Sequence, residues 1–291
     1  MLIQTHPIPI PNPLTITAEP LTPTAFTPFG AVLANPAPER RPHNTPASAL
    51  PPGHGAVSAN QGTAIQYRAL APPLRNLYDQ APSRKPATPR TTMFVCGARQ
   101  LLPDPDPDTR DERKHGDDDG SSSGSSSCSR SRDETGLFPL NILERHPYTT
   151  QTFIPLNASP KSRYLVIVAP SRPPEDADRH LPAPAGDGLP GRGLPDLSRL
   201  RAFVATGAQA VTYGAGTWHA PMAALGDAGD AVDFVVVQFA NDVPVEDCQE
   251  VELGGPLRGP NMHGDGEEEG GNGAAGIMIR VPLLRTRVSK L

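Results

Sequence analysis

The chain has 291 residues, 37% of them hydrophobic, with 37 prolines and 27 glycines, which allows one large or two small domains. A net charge of -5 excludes the basic surface of a nucleic-acid-binding protein, and no apolar run is long enough to span a bilayer, so neither nucleic acid nor membrane is an expected partner. Three cysteines without a CxxC motif exclude a disulfide framework and a cysteine-based zinc site.

The first ordered element is predicted after a proline-rich N-terminal stretch. Thr22 followed by Pro23 is typical of an N-cap and a first helical position, which predicts one short helical turn. Residues 32–33 then lead into a strand. Residues 59–67 indicate a turn or short strand, and residues 91–96, rich in β-branched and aromatic side chains, predict a strand.

Three polar segments interrupt a single predicted domain at residues 18–290. Residues 103–136 contain Asp-Pro repeats, an acidic cluster and a Ser/Gly tract, residues 170–195 are proline-rich, and residues 254–276 are rich in glycine and glutamate. Such compositions cannot bury enough apolar area to form a core. We therefore expect all three to be disordered insertions between strands, where long surface loops are tolerated.

The rest of the chain predicts a mainly β fold. Several runs are apolar on both faces and too short for helices, as expected of buried strands. The clearest predicted strands are residues 151–156, 163–169, 201–204, 210–213, 233–239 and 277–282. Short strands separated by turn residues favour an antiparallel β-barrel, whose interior can hold one small ligand.

Two histidines lie at the ends of predicted strands and are candidates for acid–base or metal chemistry. His146 precedes the strand that begins at Gln151, and His219 follows Trp218, the only tryptophan, in a stretch bounded by Gly and Pro. An imidazole can act as a base, an acid or a metal ligand. The alternative stays open that both histidines lie in surface loops and that Trp218 is a core residue.

The side-chain directions on these strands separate the candidates. Arg145 and His146 are adjacent and should point to opposite faces of an extended strand, so only a bulge would bring both into one cavity. Gln151 is expected inside the barrel, where a polar side chain either binds a ligand or is satisfied by the backbone.

The two histidine segments resemble a degenerate cupin pair. Residues 207–219 match the second cupin segment loosely, with Tyr213 where cupins usually carry proline, whereas Tyr148 stands where the first segment would supply its second histidine. A looser site of His146, Gln151 and His219 remains open, and it would suit a borderline divalent ion.

Five stretches of the chain resemble one known family. They are LTPTAFTPFGAVL (21–33), NQGTAIQY (60–67), LERHPYTTQTFIPL (143–156), LSRLRAFVATGAQAVTYGAGTWHAP (197–221) and DFVVVQFANDVPVEDC (233–248). Their sequences and order resemble the ureidoglycolate lyase family, also called ureidoglycolate hydrolase. The resemblance implies a cupin-like barrel, a homodimer, and a carbon–nitrogen lyase that splits (S)-ureidoglycolate into glyoxylate and urea in allantoin and purine breakdown. It also implies a divalent metal, with nickel a candidate.

The resemblance suggests a role for each candidate residue. His219 or His146 would remove the hydroxyl proton of the substrate, directly or through a bound metal. Arg145 or Arg68 would bind the carboxylate. The remaining candidates are Asn60 and Gln151 for the ureido group, and Tyr213 and Trp218 as walls of the pocket.

Two further interpretations compete with a lyase. The chain could be a different metal-dependent cupin enzyme, against which the missing histidine of the first segment counts, or a non-catalytic ureide-binding protein.

The last three residues bear on location. The chain ends in Ser289, Lys290 and Leu291, the tripeptide read by the peroxisomal import receptor, which predicts a peroxisomal rather than cytoplasmic location.

Overall fold

A computed structural model describes residues 5–50, 53–105, 135–156, 158–159, 161–254 and 276–283. Strands dominate these residues, and the predicted mainly β fold is confirmed. The strands are β1 Thr5–Ile8, β2 Leu14–Thr17, β3 Glu19–Pro20, β4 Gly30–Ala34, β5 Ala56–Ala59, β6 Ala64–Tyr67, β7 Thr88–Gly97, β8 Leu102–Pro103, β9 Thr135–Leu140, β10 Ile142–Arg145, β11 Gln151–Leu156, β12 Arg163–Ala169, β13 Arg201–Thr206, β14 Gln209–Tyr213, β15 Trp218–His219, β16 Ala223–Leu225, β17 Ala231–Ala240, β18 Gln249–Leu253 and β19 Ile277–Pro282.

The helices are short. The α-helices are α1 Pro23–Phe26 and α2 Pro244–Asp247, and the 3₁₀ turns are Pro42–Asn44, Ala47–Ala49, Asn60–Gly62, Tyr78–Gln80, Asp176–His180 and Leu197–Arg199. The helical turn predicted at Thr22 is confirmed, because the Thr22 side chain accepts a hydrogen bond from the Ala25 N–H at 3.2 Å. Among the residues that the structure describes, no helix has the length and apolar character needed to cross a membrane.

Most of the strands form three layers of sheet. The central sheet has the order β1-β18-β10-β15-β12-β13-β3, with β16 also paired to β12. The pocket sheet has the order β4-β14-β11-β17-β7, and the cover sheet the order β2-β19-β9-β8. Pairing is mostly antiparallel, as predicted, and the described strands form open sheets rather than one closed barrel.

Strand β12 shows why these sheets stack. Its alternate residues Leu165 and Ile167 are buried in a core that includes cover-sheet side chains, whereas Tyr164 and Val166 are buried in a second core that includes pocket-sheet side chains. A strand covered on both faces must be apolar throughout, which explains the continuous apolar run at residues 164–169. The site described below lies at the end of the layer between the central and pocket sheets.

The prediction that residues 170–195 are a disordered insertion is wrong. This segment contains the 3₁₀ turn Asp176–His180 and the buried side chain of Leu181. Its backbone carbonyls at Gly191, Arg192 and Gly193 accept hydrogen bonds from the guanidinium of Arg145. A proline-rich loop is ordered here because a buried cation satisfies its polar backbone.

The other two predicted insertions fall mostly outside the described residues. Residues 106–134 and 255–275 are not described, and residues 284–291, with the C-terminal tripeptide, also lie outside. The described ends of the first segment belong to strands β8 and β9, and Asp104 between them accepts a hydrogen bond from Arg280 at 2.6 Å.

Candidate functional site

Three side chains with metal-ligand or acid–base chemistry meet at the neighbouring strands β10 and β15, in the middle of the central sheet. Strand β10 pairs with β15 so that Glu144 lies directly opposite His219. His146 follows two residues after Glu144, which places both side chains on the same side of the extended chain. The candidate ligand atoms of Glu144, His146 and His219 all lie within 4.8 Å of one another.

The two imidazoles are held in defined orientations by backbone carbonyls. The Nδ1 atom of His146 lies 2.6 Å from the Asp247 carbonyl oxygen, and Nδ1 of His219 lies 2.9 Å from the Thr217 carbonyl oxygen. A carbonyl oxygen only accepts hydrogen bonds, so each Nδ1 carries the proton and each neutral ring keeps a lone pair on Nε2.

Both Nε2 atoms are buried and lack a hydrogen-bond partner among the described residues. An unpaired buried polar atom costs about 1–3 kcal/mol, so native proteins seldom keep one without a reason. Here two such atoms converge beside the Glu144 carboxylate, with its Oε1 atom 3.5 Å from Nε2 of His219. This arrangement is typical of a site that receives a ligand or an ion.

Burial and charge set the protonation of this group. Burial lowers the pKa of His146, and the nearby Glu144 carboxylate only partly opposes that effect. Burial alone would raise the pKa of Glu144, but its contact with His219 and the positive charge that either imidazole can carry outweigh it, and the pKa lies below its usual value. At neutral pH the site therefore contains an ionised carboxylate beside a neutral His146.

A row of side chains on the pocket sheet faces this group. Tyr213 on β14 pairs with Gln151 on β11, Gln151 Nε2 donates to Gln238 Oε1 at 2.7 Å, and Gln238 on β17 pairs with Arg90 on β7. Directly paired residues lie on the same face of a sheet, so all four side chains share one face. The ring of Tyr213 stacks on His219, with centroids 4.0 Å apart, and this joins the row to the histidines.

A cavity of about 650 Å³ opens beside this row, and of the three clustered side chains Glu144 and His146 line it, whereas His219 lies behind them. That volume lies within the range of small-molecule sites. Besides apolar side chains such as Phe94, Phe153 and Met222, its polar lining includes Arg90, Glu144, His146, Gln151, Gln238 and Asp242. Among the described residues the buried Oε1 atom of Gln151 has no hydrogen-bond partner either, which adds an unused acceptor.

A known protein family matches most of this chain. The model of the ureidoglycolate lyase family matches residues 13–258. The chain belongs to this family.

Several relatives named ureidoglycolate lyase are similar to the chain. The relative from Schizosaccharomyces pombe is 31% identical over 235 residues, which cover 80% of this chain and 89% of the relative. The relative from Saccharomyces cerevisiae is 42% identical over 115 residues, or 38% of this chain and 49% of its own length. The relative from Burkholderia cepacia is 38% identical over 115 residues, covering 39% of this chain and 49% of its own length.

Within this member of the ureidoglycolate lyase family, the structure brings four of the predicted residues together. His146 and His219 have ring centroids 5.6 Å apart, and Gln151 and Tyr213 lie on the facing row. The candidate metal-ligand group differs from the predicted one, however, because Glu144 takes the place proposed for Gln151. Gln151 instead donates to Gln238.

Arg145 and Trp218 do not line the cavity, and their predicted substrate-binding roles are corrected. Strand alternation turns Arg145 away from Glu144 and His146, and its guanidinium lies 4.5 Å from the ring centroid of Trp218. Trp218 is fully buried in the core beneath the cover sheet and donates from Nε1 to the Gly193 carbonyl at 3.1 Å. Both residues therefore donate hydrogen bonds that fix the 170–195 segment in place.

Asn60 and Arg68 also lie outside the cavity of this chain, so their contacts with the ureido group and the carboxylate stay predictions. Strands β5 and β6 form a separate two-stranded sheet, and both residues are exposed beside it. Arg68 Nε donates to Gln66 within the same hairpin. Among the described strands, none pairs with this hairpin so as to place it beside the histidines.

Sequence reasoning missed Glu144, Gln238 and Arg90. Glu144 could have been found, because a Glu-x-His spacing at the end of a strand puts both side chains on one face. Gln238 interrupts the apolar run of β17, which is a weaker signal of the same kind. No local sequence pattern marks Arg90 as a site residue. Its place in the row follows only from the register of β7 against β17.

Proposed function

We propose that this chain is a carbon–nitrogen lyase that cleaves (S)-ureidoglycolate to glyoxylate and urea. The observation that carries the proposal is the group of Glu144, His146 and His219, whose unpaired Nε2 atoms converge beside a cavity that Glu144 and His146 line, in a member of the ureidoglycolate lyase family. The chemistry of this substrate needs such a group.

Ureidoglycolate carries a hydroxyl, a carboxylate and a ureido nitrogen on one carbon. Cleavage removes the hydroxyl proton, the oxygen electrons form the aldehyde of glyoxylate, and the carbon–nitrogen bond breaks. The departing nitrogen then takes a proton and becomes part of urea, so no water is consumed. An imidazole that stays neutral near pH 7 is suited to move that proton.

The histidine group is assigned to the hydroxyl of the substrate. In the structure each Nδ1 faces a backbone carbonyl and each Nε2 turns toward the other members of the group, so either ring in its neutral form can accept the hydroxyl proton at Nε2. Glu144, at 3.5 Å from Nε2 of His219, can stabilise the imidazolium that results. Tyr213 stacks on His219 and fixes the plane of that ring.

The same three residues fit a divalent ion. Two imidazole nitrogens and one carboxylate oxygen within 4.8 Å form a donor set for borderline divalent metals, and the orphaned Nε2 atoms are free to coordinate. Glu144, His146 and His219 would hold the ion. When bound, it would polarise the hydroxyl oxygen and lower the pKa of the hydroxyl.

The amides on the facing row are assigned to the ureido group. Urea presents N–H donors and a carbonyl acceptor, which amide side chains can match. Gln151 is buried, and its unpaired Oε1 can accept from a ureido N–H. Gln238 fixes the orientation of Gln151 through the hydrogen bond between their side chains.

We expect the purified full-length protein to release urea from ureidoglycolate at a saturable rate above the spontaneous decay of this carbinolamine. Urea is followed over time with and without protein, and heat-denatured protein gives the background. Absence of any added rate contradicts the proposal. Saturable binding without added rate supports the competing interpretation, a non-catalytic ureide-binding protein.

We expect the protein to bind about one divalent ion per chain, and we expect urea release to fall after treatment with a chelator and to recover when a divalent ion is restored. Elemental analysis measures the ion independently of turnover. Glu144→Gln should lower the bound ion, since one of three ligands loses its charge, whereas Glu39→Gln at an exposed site should not. If the metal-free protein were fully active, the metal role would be contradicted, and Glu144, His146 and His219 would act by direct proton transfer alone.

Two expectations from the sequence stay predictions. The structure describes a single chain, so homodimer formation is untested. The receptor-read tripeptide of Ser289, Lys290 and Leu291 lies outside the described residues, so peroxisomal import is untested as well.

A further inference from the structure

Arg90 is the cation of the cavity. Among the described residues that line this cavity, it is the only arginine or lysine. It lies on β7, directly paired with Gln238, whose side chain contacts Gln151 on the next strand. Neighbouring strands are about 4.8 Å apart, so the backbone of Arg90 lies ~10 Å from that of Gln151 across the row.

We infer that Arg90 binds the carboxylate of ureidoglycolate. The inference rests on the proposed function and adds the third contact that this substrate requires. The hydroxyl faces Glu144, His146 and His219, the ureido group faces Gln151, and the carboxylate faces the guanidinium. Three different contacts around one carbon distinguish its two enantiomers, and a guanidinium matches the planar geometry of a carboxylate.

The carboxylate that pairs with Arg90 in the structure can be replaced by the carboxylate of a substrate. Its Nη2 atom lies 2.7 Å from Oδ2 of Asp242, which also lines the cavity. The two side chains are 43% and 60% exposed, and an exposed ion pair contributes little free energy. A substrate carboxylate held in the cavity can therefore replace Asp242 at little cost.

A charge on an edge strand has another known use. Strand β7 lies at the end of the pocket sheet, and charged side chains on edge strands prevent pairing with other chains. A purely protective Arg90 would not distinguish ligands with a carboxylate from ligands without one. The experiment is built on this difference.

The test compares the wild type with Arg90→Gln, using two competitive inhibitors of urea release. Glyoxylate carries the carboxylate, and N-(hydroxymethyl)urea is the substrate with its carboxylate replaced by hydrogen. Because N-(hydroxymethyl)urea is a carbinolamine too, the urea that it releases in the absence of ureidoglycolate is measured and subtracted. We expect kcat/KM for ureidoglycolate to fall about 10- to 100-fold in Arg90→Gln, with a similar rise in the inhibition constant of glyoxylate, because a charge-assisted hydrogen bond is lost. The inhibition constant of N-(hydroxymethyl)urea should change less than about twofold.

Three variants serve as controls. Arg90→Lys keeps the charge without the planar fork and should recover part of the loss. Asp242→Asn removes the competing carboxylate and should lower KM, and asparagine tolerates the φ of 62° at this position. Arg179→Gln breaks another exposed ion pair, with Asp176, and should leave both inhibition constants unchanged.

The outcomes separate the inference from the function on which it rests. If the wild type releases urea and Arg90→Gln weakens both inhibitors equally, or neither, Arg90 does not recognise the carboxylate and only the inference fails. If the wild type gives no rate above the spontaneous decay, the proposed function fails and the inference falls with it.

Discussion

Replacing His219 by asparagine is expected to lower kcat for urea release by about 10²- to 10⁴-fold. The asparagine amide can keep an N–H near the position of Nδ1, so the hydrogen bond to the Thr217 carbonyl is retained. The lone pair of Nε2 is lost, and with it the atom that the buried group presents to the substrate. Steady-state urea release measures the effect, and circular dichroism during thermal unfolding checks that the variant folds.

His146→Asn follows the same logic, since asparagine can preserve the hydrogen bond to the Asp247 carbonyl. We expect a loss of similar size. The double variant should be little worse than either single variant, because residues that act as one group have non-additive effects. His43→Asn, at an exposed turn, is the matched control and should be fully active. Near-normal turnover in both cavity variants would remove the imidazoles from the reaction.

The strands were predictable where the chain has short runs rich in β-branched and other apolar residues. Strands β11, β12 and β19 have the predicted bounds of residues 151–156, 163–169 and 277–282. These strands can be predicted from their own sequences without knowing the neighbouring strand, because a short β-branched run has few other stable environments. In strands β10 (ILER) and β18 (QEVEL) half or more of the residues are polar or charged and only the burial alternates, so their pairing depends on the rest of the sheet.

The site was predictable as far as local spacing extends. The convergence of His146 and His219 follows from strand ends with turn residues, and the geometry agrees with it. The same alternation rule that separates Arg145 from His146 should have removed Arg145 from the cavity, since no bulge turns it inward. Trp218 was misplaced because a tryptophan beside a histidine fits a pocket wall and a core equally well.

The missing members of the site depend on register between distant strands. Gln238 reaches Gln151 only because β17 pairs with β11, and Arg90 joins them only because β7 pairs with β17. A shift of one residue in either pairing would turn these side chains to the other face of the sheet. A single sequence does not contain that register, which is set by the packing of two sheets.

Replacing Arg145 by methionine is expected to lower the free energy of unfolding by about 3–5 kcal/mol, although Arg145 does not line the cavity. Its guanidinium is fully buried and donates to the carbonyls of Gly191, Arg192 and Gly193 and to Oε1 of Gln249. Methionine fills similar volume beside Trp218 but leaves these acceptors without a donor. Each buried acceptor left unpaired costs about 1–3 kcal/mol, so the total is large even if the loop partly relaxes.

The charge of Arg145 persists at neutral pH despite its burial. Burial lowers the pKa of Arg145 to about 9, while Asp178 and Tyr148 oppose that shift, so the side chain is still a cation at pH 7. Arg145→Lys keeps a cation but loses the fork, and it should recover only part of the stability. Equilibrium urea denaturation, with both the midpoint and the slope fitted, measures the three proteins under one condition.

Arg163→Met is the matched control for this prediction. Arg163 is half-buried and donates from Nη1 to the Pro282 carbonyl, an exposed hydrogen bond, so its loss should cost less than about 1 kcal/mol. Equal destabilisation by the two substitutions would contradict the role assigned to Arg145. If Arg145 fixes the 170–195 segment as the structure indicates, limited proteolysis of Arg145→Met should cut that segment first, because its carbonyls at 191–193 lose their common donor. In the wild type the same bonds then explain how a proline-rich loop stays folded against the strand that also carries Glu144.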